Sequence, residues 1–284
     1  MFIIIGFVIV FISAMGGFIL AGGNPMVLLH ISEFVVIGGV SLGILIISTP
    51  INVLKALMGD VLGSFKGSPL TQAEVDDLFK MLYELFMLGR RNGLLALDEH
   101  MSDPANSTLF SKYPSFMKNH KRQEFLINSL RPIIDGKIKP EQLSSIMEKE
   151  VDAMEEESHH TTGVLLLVGD SLPGVGIVAA VLGIINTMSA ISEGPGAVGH
   201  KVAAALTGTF LGIFMAYGFI NPLAKNLEFR HSTALSYYRA MMNAVVSFTR
   251  GLSPIMALEI ARRGLPEDLM IEADKLEEML KELG

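Results

Sequence analysis

The sequence predicts an all-α polytopic membrane protein with four transmembrane helices and a helical cytoplasmic domain between helices 2 and 3. Three observations carry that prediction. Half of the 284 residues are hydrophobic, and they gather into long apolar runs rather than spreading evenly. Those runs fall into two pairs, separated by a long charged stretch in which apolar residues recur at helical spacing. Of the 22 Lys and Arg, 13 lie between Lys55 and Lys149 and eight from Lys225 onward, leaving Lys201. The positive-inside rule therefore places both large polar segments, and both termini, on the cytoplasmic side of the membrane.

The first span, about Phe2 to Ala21, lies in an uncharged stretch and stops at the Gly22-Gly23-Asn24-Pro25 turn. It has no basic n-region and outlasts a typical signal-peptide core, so it reads as an uncleaved span. The second is Phe34 to Leu54, 21 uncharged residues between Glu33 and Lys55. Gly38, Gly39 and Gly43 offer it a close-packing face, and Pro50 is expected to bend its exit. The third, Val164 to Ile191, is interrupted by Asp170 and Pro173. A carboxylate in hydrocarbon costs a few kcal/mol, so Asp170 should face protein or water, and Pro173 removes a backbone donor. The fourth, Val202 to Ala224, spaces Ala204, Gly208, Gly212 and Ala216 by four, which suits tight packing within one subunit and an oligomer interface equally.

The predicted domains are residues 1–55 for the first two spans, 56–163 for the cytoplasmic domain, 164–224 for the last two spans, and 225–284 for a helical extension and tail. Within the cytoplasmic domain, Thr71-x-x-Glu74 is a capping box, and Val75, Leu78, Phe79, Leu82, Leu85 and Phe86 follow at helical spacing. That helix ends near Gly89 to Gly93, and LLALDEH reads as a short second helix presenting Asp98 and Glu99. Phe125 to Ile134 and a helix starting at Pro140 complete the block. Beyond the fourth span, Leu227, Leu235, Tyr238, Met242, Val245 and Phe248 continue one long helix that Gly251 ends. A short helix follows from Pro254, and in the tail Leu269, Ala273, Leu276, Leu280 and Leu283 make a stripe able to pack or dimerise.

Composition excludes several functions. Without Cys there is no disulfide framework, thiolate metal site or cysteine nucleophile, and a net charge of -7 argues against a nucleic-acid partner. No phosphate-cradling Gly-rich loop or His-Glu-x-x-His is present, and adjacent His159 and His160 point in different directions on a helix. Apart from Asp170, no carboxylate or histidine is expected inside any span. An ion path through this chain would then need a carboxylate from another chain. At about 1.5 Å per residue, Ala180 and Thr209 come to a similar depth, although a threonine in a span usually bonds its own helix. Arg90, Arg91, Asp98, Glu99 and Glu150, read alone, form a solvated charged face.

Four segments together resemble the MotA family of flagellar motor stator subunits: GDSLPGVGIVAAVLGI at 169–184, GTFLGIFMAYGFINPLA at 208–224, RRNGLLALDEH at 90–100 and MGGF at 15–18. The resemblance implies a five-subunit ring around two copies of a MotB-like single-span partner, whose aspartate carries the ion. Ion flow would turn the ring against the rotor protein FliG. Pro173 and Pro222 match the family prolines linked to coupling, and Thr209 matches the ion-path threonine. Arg90, Asp98 and Glu150 match its rotor-facing charges, Asp98 standing where glutamate is more usual, with Glu99 beside it. Sodium-type relatives carry a threonine where Ala180 stands, so the resemblance implies protons as the translocated ion and no cofactor. Alternatives are an ExbB- or TolQ-like proton-driven transducer, whose members usually have three spans, and a passive membrane scaffold. An enzyme reading lacks a Ser/His or paired-Asp constellation within the spans.

Overall fold

The computed structural model describes residues 2–189 and 191–283, and among them every regular element is helical. Twelve α-helices follow in order: α1 (Phe2–Leu20), α2 (Ile31–Ser48), α3 (Ile51–Ser64), α4 (Gln72–Asn92), α5 (Asp98–Ser102), α6 (Pro114–Met117), α7 (His120–Ile134), α8 (Pro140–Met188), α9 (Pro195–Met215), α10 (Asn221–Thr249), α11 (Pro254–Arg262) and α12 (Ala273–Lys281). Four helices are long and apolar enough to cross a membrane: α1, α2, α8, and the continuous helix from Pro195 to Thr249. The last contains a five-residue π-helical segment, Ala216–Ile220, between α9 and α10.

The chain divides into two compact units, residues 1–67 with 157–230, and residues 68–156 with 231–284. The first holds the apolar spans and also takes in α3. Asn24 caps the turn after α1 by accepting from the Met26 N–H, and Gly22 adopts φ 85° there. Pro50 does not bend the second span, as the sequence suggested, but separates two helices. Thr49 is extended at φ -126° and ψ 120°, because a residue preceding proline is disfavoured in the α region. The span accordingly begins at Ile31 rather than Phe34 and encloses Glu33.

Two apolar clusters hold this unit together. Ile37 of α2 packs with Leu172, Val175 and Ala179 of α8 and with Ala216. Leu57 of α3 packs with Leu165, Leu223, Ala224 and Leu227. No residue of α1 is buried, and Gly38, Gly39 and Gly43 meet nothing within 4 Å, so the expected glycine face of α2 is open in the single chain. Lipid or other chains must cover these apolar surfaces.

The second unit has a conventional soluble core. The capping box forms as the sequence requires: Thr71 Oγ1 accepts from the Glu74 N–H, and Glu74 Oε2 accepts from the Thr71 N–H at 2.9 Å. Each apolar position of the α4 stripe named above is buried, and Phe86 stacks on Phe248 of α10 at 4.3 Å between ring centroids. Gly89 lets Leu97 and Phe248 approach, since a methyl there would lie 3.2 Å from both. Arg122 is buried, gives Nη1 to Glu74 Oε1 at 2.8 Å and covers the Tyr237 ring at 4.1 Å. The tail packs on this core: Leu269, Leu276 and Leu280 are buried in it.

Candidate functional site

The sequence-identified membrane residues converge on the helix pair formed by α8 and α9–α10. Glycine lets these backbones touch. A methyl on Gly176 would lie 2.8 Å from the Gly208 carbonyl oxygen, one on Gly212 would lie 2.5 Å from the Leu172 carbonyl oxygen, and one on Gly183 would lie 2.9 Å from Ala205 Cβ. The ambiguity left by the small-residue spacing is thus resolved for Gly208 and Gly212, whose small faces are used within the chain. Ala180 comes to the same depth as Thr209, for its backbone nitrogen lies 3.3 Å from a methyl built on the neighbouring Gly208. Ala180 is buried and Thr209 half-buried. Thr207 and Thr187 are buried and spend their hydroxyls on their own helices, donating to the Ala203 and Gly183 carbonyls.

At the other end of the pair the two proline segments are joined. Asn221 Nδ2 donates to Asp170 Oδ1 at 3.0 Å. Asp170 precedes Pro173 by three residues, and Asn221 immediately precedes Pro222. Gly169 makes room for this bond, because any Cβ there would fall 1.8 Å from Asn221 Oδ1. Both helices are weakened at this level. Pro173 offers no N–H to the Gly169 carbonyl and Pro222 none to that of Gly218, and the π segment directly precedes Asn221.

Glu33, at the predicted border of the second span, instead lies inside α2, is 5% exposed, and leaves Oε2 without a hydrogen-bond partner. Its carboxylate lies against α9, since a methyl on Gly208 would be 2.5 Å from Oε2. The expectation that Asp170 is the one carboxylate or histidine within the spans is therefore corrected. His200 also lies within a helix, α9, and its ring meets that of His30, the N-cap residue of α2, edge-on at 5.7 Å. The sequence signal was present: a helix can begin with an acid in its first turn, where the helix dipole favours negative charge.

The charged residues of the soluble unit fall into two places. Arg90 is exposed at the end of α4, with Nη1 3.5 Å from the Gly251 carbonyl oxygen. Gly93, at φ 81°, turns the chain, and a 3₁₀ turn leads into α5, which exposes Asp98 and Glu99 in its first turn. Asp98 Oδ1 accepts from Ser102 Oγ at 3.3 Å. Glu150 is half-buried on α8, burial pushes its carboxyl up, and its charge acts on Tyr238. Tyr238 also feels Arg122, the partner of Glu74 in the first turn of α4, roughly 24 Å of helix away from Arg90. Glu150 thus belongs toward the opposite end of α4 from Arg90 and Asp98. Among the described residues no group of three metal-ligating side chains occurs.

Fold and site define a polytopic membrane protein: a glycine-packed helix pair, each member carrying a proline, joined to a large soluble helical unit. Comparison with known proteins narrows the class. The family model described as Motility protein A N-terminal matches residues 4–93, and that of the MotA/TolQ/ExbB proton channel family matches residues 117–240. Motility protein A of Salmonella typhimurium is 31% identical over 265 residues, covering 93% of this chain and 90% of the relative. Chemotaxis protein LafT of Vibrio parahaemolyticus is 30% identical over 278 residues, 98% of each chain. A chain of the C. jejuni MotAB structure superposes with a TM-score of 0.77 at 26% identity, covering 94% of this chain and 96% of that one. The flagellar MotAB stator complex of Bacillus subtilis gives 0.74 at 26% identity, over 93% and 96%. This chain belongs to the motility protein A family and is a flagellar stator subunit, from a family of ion channels rather than enzymes.

Proposed function

We propose that this chain assembles as a pentamer around a dimer of a MotB-like single-span partner in the bacterial inner membrane, with its soluble unit cytoplasmic. The partner's aspartate carries a proton past Ala180 and Thr209, and the resulting movement of the Pro173 and Pro222 segments turns the ring. Arg90, Asp98 and Glu99, with Glu150 farther along the same unit, press on the rotor protein FliG. No cofactor takes part.

The observation that carries this reading is the Asn221–Asp170 bond, which links two proline-weakened helices beside a π-helical segment. Such a junction can pass a small shift between helices, which a passive scaffold does not need. Ala180 supports protons, because it offers no hydroxyl where a sodium ion would need a ligand. The match to the Motility protein A N-terminal model, beside four candidate spans, favours the stator over an ExbB- or TolQ-like transducer.

The test is the swimming speed of a flagellated, stator-less bacterium expressing this chain with its MotB-like partner. Sodium is varied at fixed pH, and a proton uncoupler is added. Speed should be insensitive to sodium and abolished by the uncoupler. Sodium-dependent speed would overturn the ion assignment, and no swimming despite a stable membrane complex would overturn the stator reading.

A further inference from the structure

We propose that Glu33 is a second proton-binding group of the ion path, one this chain supplies itself and through which protons pass on their way to the partner's carboxylate. The proposal rests on the stator reading above and deepens it.

The geometry is that of a functional acid rather than a helix-end charge. Glu33 is 95% buried, and its Oε2 has no hydrogen-bond partner, although first-turn carboxylates are ordinarily solvated or capping. A buried carboxylate with one oxygen left unpaired is costly, so it persists where it can take up a proton or be reached by water. A glutamine would fill the same volume without that cost.

Its surroundings give the acid a direction. On its own element, His30 and Ser32 act on it, and His30 Nε2 is likewise buried without a partner. From α9 come Gly208, against which the carboxylate packs, and His200, edge-on to His30. From α8 come Ala179, whose Cβ lies 3.1 Å from the same built methyl, and Ala180. Gly208 has Thr209 as its chain neighbour. The sequence of polar groups therefore runs from the two histidines to Glu33 and on to the level of Thr209 and Ala180. Lacking a side chain at Gly208, the chain leaves the carboxylate its place there. A proton reaching this level binds Oε2 and gives the neutral acid. The O–H bond then breaks as the proton passes to the partner's carboxylate, and Glu33 returns to its anion.

The experiment measures low-load motor speed against external pH for the complete complex in a stator-less strain, comparing wild type with E33Q and E33D. Low load makes ion delivery limiting. E33Q should be slowed several-fold while still copurifying with the partner, and its speed should no longer vary with pH as the wild type does. E33D should recover part of the speed with a shifted pH midpoint. E33Q running at wild-type speed across the pH range would overturn the proposal. If E33Q does not assemble, E33D decides: an assembled E33D complex with an unshifted pH profile would overturn it equally. Failure of the wild-type complex itself would instead refute the stator reading.

Discussion

Gly169 is the residue whose small size has the clearest consequence. Any side chain there must displace the Asn221 amide, the donor to Asp170. Gly169→Ala and Asn221→Ala should therefore both lose that bond, worth about 1 kcal/mol, and slow swimming while the complex still assembles. The double variant should be little worse than either single, a non-additivity that a motility double-mutant cycle would read directly. Glu74 makes the corresponding case in the soluble unit. Burial pushes its carboxyl up, but hydrogen bonds from Arg122 and Thr71 outweigh that and hold it below its ordinary value. A carboxyl lowered in the folded state stabilises above its unfolded pKa of about 4.3 and loses that contribution as pH falls through the lowered folded value. Glu74→Gln strands the buried Arg122 cation, while its amide oxygen can still accept the Thr71 N–H of the capping box. It should cost about 2 kcal/mol near neutral pH, somewhat less than a fully buried pair. Thermal unfolding against pH would show the gap between variant and wild type closing below pH ~4. Arg90 is exposed, so Arg90→Glu should leave stability unchanged. It should lower torque in a way that a compensating charge swap on the rotor restores; unchanged torque would make it a solvated charge only.

At the scale of elements, proline placement matters more than proline count. Pro50 ends a helix, Pro132 and Pro173 lie inside continuous ones, and Pro222 follows a π segment. Pro173→Ala restores a donor to the Gly169 carbonyl and stiffens α8 where it meets Asn221. Assembly with the partner, read by copurification, should survive, while motility is lost or slowed; unchanged motility would count against a coupling role for this segment. Most elements were legible in the sequence because their signals are local. The Thr71–Glu74 capping box, the apolar stripe of α4, the glycine stop at Gly251 and the four apolar runs depend on near neighbours. What was not legible depends on partners distant in the chain. Whether Pro50 bends or ends a helix, and whether a Gly faces its own chain, as Gly212 does, or meets nothing within it, as Gly39 does, is decided by packing. The candidate site divides the same way. Asp170 and Pro173 stand out as interruptions of an apolar run, and Thr209 and Pro222 are singled out by the family resemblance, whereas the Asn221 contact required the fold. Glu33 was not legible because a charge at the edge of an apolar run marks the run's boundary as readily as it marks a buried first-turn acid.

At the scale of the whole molecule, the exposed apolar surface is the central fact. No residue of α1 is fully buried, the glycines of α2 stand open, and Ile177, Val178, Val181 and Leu182 of α8 are exposed among residues matched to the ion path. One face must meet lipid, and the others need protein, which a ring of copies around a partner dimer supplies. The soluble unit has an independent core, so it is able to bear load. The most direct measurement is the torque of single motors, read from a tethered bead in a stator-less strain, as this chain and its partner are gradually expressed. Torque should rise in equal discrete steps, each falling in proportion as an uncoupler lowers the proton gradient and indifferent to sodium. Full expression with no steps, or steps that persist after the gradient is collapsed, would contradict the account.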